Sequence, residues 1–91
     1  MNVVFFADAW DEFTKAADNP ADLRNVLTAI EDARTNPYSG PGRPHALKKP
    51  LDGWWSRDVA GNDRLVYRVR GNPGDLEIRH SLYDYHHKPK R

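Results

Sequence analysis

The 91-residue sequence contains no cysteine. Disulfides and thiolate metal sites are therefore excluded, and cysteine usage leaves the redox compartment open. No apolar run approaches the ~20 residues that a membrane-spanning helix needs. The start, Met1 to Phe6, lacks the basic residues and the length of a secretory signal. These absences predict a soluble protein with a cytoplasmic location and no membrane partner.

A strong net charge is also missing, since the formal value is only +1. The two signs are nevertheless segregated along the chain. Residues 1–35 hold seven acidic and three basic side chains, whereas residues 36–91 hold six acidic and eleven basic ones. Anion binding is therefore expected in the second part. With 38% hydrophobic residues the chain can build one small core. We predict a single domain over residues 1–87 and a polar tail over residues 88–91.

The first part of the chain predicts one strand and two helices. Val3–Phe6 is a short β-prone run, interpreted as a strand buried on both faces. Asp8 is the expected N-cap of a first helix that carries Trp10 and Phe13 on its apolar face and runs to about Asp18. Asn19 and Pro20 have the cap and first-turn residues of a second helix. Its apolar stripe is Leu23, Val26 or Leu27, Ile30 and Ala33, and Asn36-Pro37 ends it.

The second part predicts four strands. After a Gly- and Pro-rich loop, 38–44, we expect strands at about 45–49, 54–59, 64–70 and 76–83, joined by turns. The resulting order is β-α-α-β-β-β-β, which indicates an α+β fold with two helices packed on one mostly antiparallel sheet.

Cations are concentrated among aromatic and turn residues between Gly40 and Val69. In the strand that begins at Arg64, Leu65, Tyr67 and Val69 should face the core, while Arg64 and the other arginines face the opposite side. Such an arginine face suits an anionic partner, phosphate above all. A solvated outer face that serves solubility is the alternative interpretation. The basic residues of this stretch are Arg43, His45, Lys48, Lys49, Arg57, Arg64 and Arg68.

Three segments resemble a known family. They are PHALK at 44–48, LDGWWSR at 51–57 and DRLVY at 63–67. The sequence is similar to the YoeB/Txe branch of the RelE superfamily of bacterial toxins, whose pattern is roughly K-P-E-P-L-K, L-S-G-x-W-S-R and H-R-L-V-Y at the same intervals. The resemblance implies a RelE-like microbial RNase fold. It also implies an mRNA-cleaving toxin of a type II toxin–antitoxin pair.

Toxins of this family act in the ribosomal A site without a metal or other cofactor. The 2′-hydroxyl of the mRNA attacks the adjacent phosphate, which leaves a 2′,3′-cyclic phosphate and a 5′-hydroxyl. This reaction needs a base, a cation for the pentavalent phosphorane and an acid for the leaving 5′-oxygen. The resemblance implies that Arg64 binds the phosphate. It further implies contacts of the RNA backbone with Lys48, Lys49, Arg57 and, on weaker grounds, Arg43.

Two positions depart from the family pattern. The glutamate that serves as general base is replaced by His45, which either keeps the chemistry with a changed pH profile or marks a toxin with weakened activity. The family ends on Tyr-His-Tyr, with the histidine as general acid. Without a gap Asp84 takes the position of that acid, whereas a two-residue insertion aligns Tyr85 and His86. We favour His86, because an exposed aspartate is almost wholly ionised near neutral pH. Tyr85 serves in either alignment.

Other functions remain open at this stage. The superfamily's fold also hosts inhibitors of DNA gyrase that cleave no RNA, and a degenerate toxin could act only as an antitoxin-binding or co-repressor partner. The resemblance implies a YefM-like antitoxin whose acidic C-terminal segment orders on the basic face. The other implied partners are mRNA in the A site of the 70S ribosome and a second copy of the chain in a homodimer.

Overall fold

A computed structural model describes residues 1–84 of the chain. Two helices and five strands follow one another in the predicted order. They are β1 (Val3–Phe5), α1 (Ala7–Ala16), α2 (Pro20–Thr35), β2 (His45–Ala46), β3 (Trp55–Ala60), β4 (Asp63–Arg70) and β5 (Asp75–Asp84). The predicted architecture, two helices on one sheet, is confirmed.

The five strands form one sheet in the order β1-β5-β4-β3-β2. Strands β2 to β5 pair antiparallel as successive neighbours, and β1 pairs parallel with β5 through Val3↔Leu76 and Phe5↔Ile78. The first strand is therefore an edge strand beside the last one. This mixed sheet agrees with the predicted, mostly antiparallel arrangement.

The core lies between the helices and one face of the sheet. Leu65, Tyr67, Leu76 and Ile78 are fully buried there, which confirms the predicted inward face of β4. The helices contribute mostly small residues, and these allow the helix backbones to approach the sheet closely. The buried helical residues are Ala9, Ala16, Val26, Ala29, Ile30 and Ala33.

The two helices begin differently. In α2 the Asn19 side chain accepts hydrogen bonds from the backbone N–H groups of Ala21 and Asp22, at 2.9 and 3.1 Å, as the sequence predicts. The predicted N-cap of α1, Asp8, is wrong. Phe6 holds that position in extended conformation without a side-chain cap, because its N–H is still bonded to Ile78 of β5. The helix then ends at Ala16 rather than near Asp18.

Three other expectations are corrected. Strand β1 is not buried on both faces, because it lies at the sheet edge and Val4 faces away from the helices with 41% of its surface exposed. Trp10 is half-exposed and stacks on Phe13 at the rim of the core. Strand β2 is only two residues long, and after one more bond, from the Leu47 N–H to the Trp54 carbonyl, the chain enters the turn closed by Leu51 and Lys48.

Strand β5 contains two more residues than the part of β4 that it faces. Tyr67 pairs with Ile78 and Arg64 with Tyr83, so three steps along β4 match five along β5. The Glu12 carboxylate of α1 accepts bonds from the irregular segment, from the N–H of Ser81 at 2.8 Å and from His80 Nδ1 at 3.0 Å. The Ser81 hydroxyl donates to the Ala9 carbonyl. The extra residues are thereby fixed to α1, and His80 packs against the helix.

Candidate functional site

The loop between α2 and β2 is held by a buried arginine. Arg57 of β3 is 1% exposed, and its Nη2 donates to the carbonyl oxygens of Asn36 at 2.6 Å and Ser39 at 2.9 Å. The Tyr67 hydroxyl donates to the Pro37 carbonyl at 2.6 Å. These bonds satisfy carbonyls just beyond the end of α2, where a helix and its following loop need donors.

Tyr67 is neutral in this network. Burial raises the pKa of its hydroxyl above the usual 10.0, and the neighbouring Arg57 offsets part of that rise. The hydroxyl therefore keeps its proton and donates a hydrogen bond to the Pro37 carbonyl. The network fixes the loop that leads to Arg43 and His45.

Gly42 allows this loop to lie directly on β3. A β-carbon at this position would come within 2.6 Å of the Arg57 side chain and 3.0 Å of the Asp58 carbonyl, and its φ of 86° is a conformation that favours glycine. Its carbonyl accepts a 2.7 Å hydrogen bond from the Asp58 N–H. Arg43 follows with a φ of 50°, which directs the chain towards β2.

The sheet face opposite the helices carries two rows of paired residues. In one row Asp58 pairs with Arg64 and Arg64 with Tyr83; in the other, Ser56 lies between His45 and Val66. Because paired residues of neighbouring strands point to the same side of a sheet, Asp58, Arg64 and Tyr83 share this face. The rows bring side chains from the loop, β2, β3, β4 and β5 to one region.

A cavity of about 380 Å³ opens in this region. Its lining consists of Arg43, Pro44, His45, Asp58 and Arg64. Two of the predicted catalytic residues, His45 and Arg64, therefore line the same cavity, together with the predicted RNA-binding residue Arg43. Arg64 is well shielded, with 19% of its side chain exposed, whereas 80% of the Arg43 side chain is exposed.

Asp58 connects the two arginines of the cavity. Its Oδ1 forms an ion pair with Arg64 Nη1, and its Oδ2 accepts from Arg43 Nε at 2.8 Å and lies 2.7 Å from Nη2 of the same residue. Sequence reasoning missed this residue. The hairpin turn near Gly61 gave no usable signal, because regular pairing from Ala60 and Asp63 places Val59 opposite Arg64, and only the register shift between Asp58 and Ala60 brings Asp58 there.

The imidazole of His45 has a defined orientation. Its Nδ1 lies 3.2 Å from the Arg43 carbonyl oxygen, and a carbonyl oxygen can only accept a hydrogen bond. Nδ1 therefore carries the proton in the neutral ring, which leaves the lone pair on Nε2. The residue is exposed on the cavity wall, so this nitrogen can accept a proton from a bound molecule.

The remaining predicted residues are distributed differently. Lys48 and Lys49 are exposed, beyond the residues that line the cavity. The prediction that Arg57 contacts an RNA backbone is contradicted by its burial and by its bonds to the loop carbonyls. Tyr85 and His86 lie outside the described residues.

Trp54 is 6% exposed. The guanidinium of Arg68 lies 4.2 Å from its ring centre and that of Arg79 lies 5.4 Å away. Trp55 packs at the edge of the core and contacts Tyr38. Both tryptophans therefore pack within the domain.

Residues 1–84 contain no cluster of three or more histidine or acidic side chains arranged to hold a metal ion. Within the same range, neither helix has the length and apolar character needed to cross a bilayer.

A protein-family model and several known toxins match most of this chain. The family model described as "YoeB-like toxin of bacterial type II toxin-antitoxin system" matches residues 5–86. The chain belongs to this YoeB-like toxin family. The YoeB toxin of Mycobacterium bovis is 36% identical over 88 residues, which span 94% of this chain and 98% of that toxin.

Solved structures of YoeB proteins have the same fold. A YoeB/ParE toxin from Agrobacterium tumefaciens superposes with a TM-score of 0.87 at 29% identity, over 93% of this chain and all of the other. A YoeB dimer from Staphylococcus aureus gives 0.82 at 25% identity. A heterotetrameric YoeB–YefM complex from the same organism gives 0.81 at 26%. Both cover 93% of this chain and 98% of theirs.

Proposed function

We propose that the protein is an mRNA endonuclease that acts in the A site of the ribosome and inhibits translation. The observation that carries the proposal is the presence of Arg64 and His45 in one cavity of a YoeB-family chain. The cleavage needs no metal: the substrate's own 2′-hydroxyl attacks the neighbouring phosphate. The products are a 2′,3′-cyclic phosphate and a 5′-hydroxyl end.

In this mechanism Arg64 holds the scissile phosphate. Its planar guanidinium can donate two parallel hydrogen bonds to phosphate oxygens and stays charged at any physiological pH. The limited exposure of the side chain, 19%, strengthens its interaction with the charge that develops on the phosphorane. Arg43, Lys48 and Lys49 add sequence-independent contacts to the RNA backbone.

His45 is the proposed general base. The hydrogen bond from Nδ1 to the Arg43 carbonyl supports a tautomer whose Nε2 lone pair is available to the 2′-hydroxyl. The proton moves from the hydroxyl to Nε2 as the oxygen attacks phosphorus. Imidazole is the side chain that most often serves as a general base, so the residue type suits this step.

His86 is the proposed acid for the leaving 5′-oxygen, and Tyr85 is the other proposed catalytic residue of this segment. Two features support this alignment over the one that uses Asp84. The stretch of β5 from Ile78 to Tyr83 is two residues longer than its β4 partner, which matches an insertion of that size. The family match also extends to residue 86. Tyr83 pairs with Arg64, so β5 leads the chain past the phosphate-binding side chain.

The first test is cleavage of mRNA in a translating extract, with the cut ends mapped and their chemistry determined. We expect cuts at A-site codons with 5′-hydroxyl ends for the wild type and at least 100-fold slower cleavage for Arg64→Ala, since an equivalent electrostatic contact contributes about 10²–10³-fold elsewhere. Arg70→Ala is the matched control, because Arg70 is exposed at the end of the same strand.

The outcome separates the alternatives. Uncut mRNA together with inhibited DNA supercoiling would identify a gyrase inhibitor of the same fold. Harmless expression in the absence of antitoxin would favour a degenerate toxin that serves as a binding partner. Normal cleavage by a well-folded Arg64→Ala variant would remove Arg64 from the mechanism.

The proposed protein partner is a YefM-like antitoxin, supported by the YoeB–YefM complex among the similar structures. An acidic segment of the antitoxin would order over the cavity and compete with RNA for its arginines. The YoeB dimer among the similar structures supports a homodimer as a further state. A protein that acts on translating ribosomes would work in the cytoplasm.

A further inference from the structure

The phosphate-binding cavity already contains an anion of its own. Asp58 uses both carboxylate oxygens, one towards Arg64 and the other towards Arg43. The three side chains together carry a charge of +1 rather than the +2 of the arginines alone. A phosphate that enters the cavity meets guanidinium groups whose donors are partly occupied.

The two ion pairs differ in strength. Asp58 and Arg64 are both shielded, with 23% and 19% of their side chains exposed, whereas Arg43 is 80% exposed. Exposed ion pairs contribute little and exchange readily, because water and salt screen them. The contact with Arg43 is therefore the one that a phosphate can replace.

The backbone keeps Asp58 in place during such an exchange. Its N–H donates to the Gly42 carbonyl at 2.7 Å, and it pairs with Arg64 in the register between β3 and β4. The carboxylate can lose Arg43 without losing its position beside Arg64. An RNA phosphate would then bind Arg43 while Oδ1 still orients the Arg64 guanidinium.

We propose that Asp58 is a positioning residue that orients Arg64 and, through its second oxygen, competes with RNA phosphate for Arg43. The inference rests on the proposed RNA substrate. It implies that Asp58 lowers the affinity of the protein for RNA while it keeps the phosphate-binding side chain oriented.

The experiment measures binding of a single-stranded RNA oligonucleotide with 2′-O-methyl groups, which lacks the attacking hydroxyl, at several salt concentrations. Asp58→Asn removes the charge but keeps an oxygen beside Arg64. We expect about tenfold tighter binding at low salt, from the loss of one nearby negative charge. The slope of log affinity against log salt should steepen by about 0.7, the value for one further phosphate contact to a single strand.

Two control variants separate the effect of the Asp58 carboxylate from the effect of net charge alone. Asp18→Asn makes the same change in net charge at an exposed position between the helices, and it should leave affinity and slope as in the wild type. Asp58→Glu restores the carboxylate and should return both values towards the wild type. Asp58→Ser removes the charge with a smaller side chain and replaces the asparagine variant if that one does not fold.

Each result decides the inference. Tighter binding with a steeper slope for Asp58→Asn alone supports it. An unchanged slope, or weaker binding in a folded variant, would mean that the carboxylate does not compete with phosphate, and the inference fails. Absence of oligonucleotide binding by both wild type and variant overturns it as well. The proposed nuclease function is lost separately, only if the translating extract shows no cut mRNA.

Discussion

Replacing Arg57 by methionine tests whether this buried cation holds the loop of the site or contacts RNA. Methionine keeps an unbranched, apolar stem and removes the guanidinium. The loop carbonyls of Asn36 and Ser39 would then lose their donor. We expect a less stable protein whose Arg43 and His45 are poorly positioned, because the loop that carries them is no longer fixed to β3.

The magnitude follows from the contacts. Two hydrogen bonds from a charged donor contribute about 1.5–3 kcal/mol each, or about 3–6 kcal/mol together. Removing a buried charge returns part of its desolvation cost, which amounts to several kcal/mol. Arg57 also has an Nη1 without a hydrogen-bond partner among the described residues, so its burial is not fully compensated. The net loss in the free energy of unfolding should be about 2–4 kcal/mol.

Urea denaturation followed by circular dichroism measures this loss, and Arg43→Met is the matched control. Arg43 is exposed, and its ion pair with Asp58 should contribute no more than about 1 kcal/mol. If Arg57→Met unfolds at the same urea concentration as the wild type and loses only affinity for RNA, the structural role is refuted. Arg57 would then return to the set of RNA contacts.

Three further predictions concern other parts of the site and its support. Because Tyr67 has a raised pKa in the folded protein, the unfolded chain loses this proton first, and the free energy of unfolding should fall as pH rises from about 10 through the folded value. Tyr67→Phe should reduce this alkaline dependence in urea titrations. An unchanged dependence would exclude Tyr67 as its origin. His45→Glu should move the acidic limb of the cleavage-rate profile to lower pH, since glutamate ordinarily ionises near pH 4.3; profiles that coincide would count against His45 as the base. Glu12→Gln should lower the free energy of unfolding by about 1–3 kcal/mol, because Ser81 and His80 lose a charged acceptor. Hydrogen exchange of the Ser81 amide should also become faster. Unchanged protection of this amide would contradict the role assigned to Glu12.

The periodic parts of the sequence predicted the structure well. The alternation from Arg64 to Val69 separated the two faces of β4, because a strand places successive side chains on opposite sides. Asn19 and Pro20 marked the start of α2, because their capping and backbone preferences act locally. The proximity of Arg64 and His45 was expected from the resemblance and is now seen in one cavity.

The features that escaped prediction depend on distant contacts. Asp8 has the composition of a cap, but β1 pairs with β5 up to Phe6 and thereby sets where α1 begins. The sequence predicted Arg57 to be a surface cation that binds RNA. In the structure it is buried against the carbonyl groups of Ser39 and Asn36, which lie 18 and 21 residues away in the sequence. Neither local propensity nor charge pattern contains such information, because it arises only when the loop folds back over β3.

The position of β5 between β1 and β4 affects how the protein can fold as it is synthesised. Val3 and Phe5 find their partners only when Leu76 and Ile78 are available, so the amino-terminal strand leaves the ribosome long before its place in the sheet exists. Long-range pairing of this kind slows folding and makes it a late event. Arg64 is therefore enclosed between neighbouring strands only after β5 has been synthesised. The proposed active-site cavity would in this way be completed only when the last described strand joins the sheet.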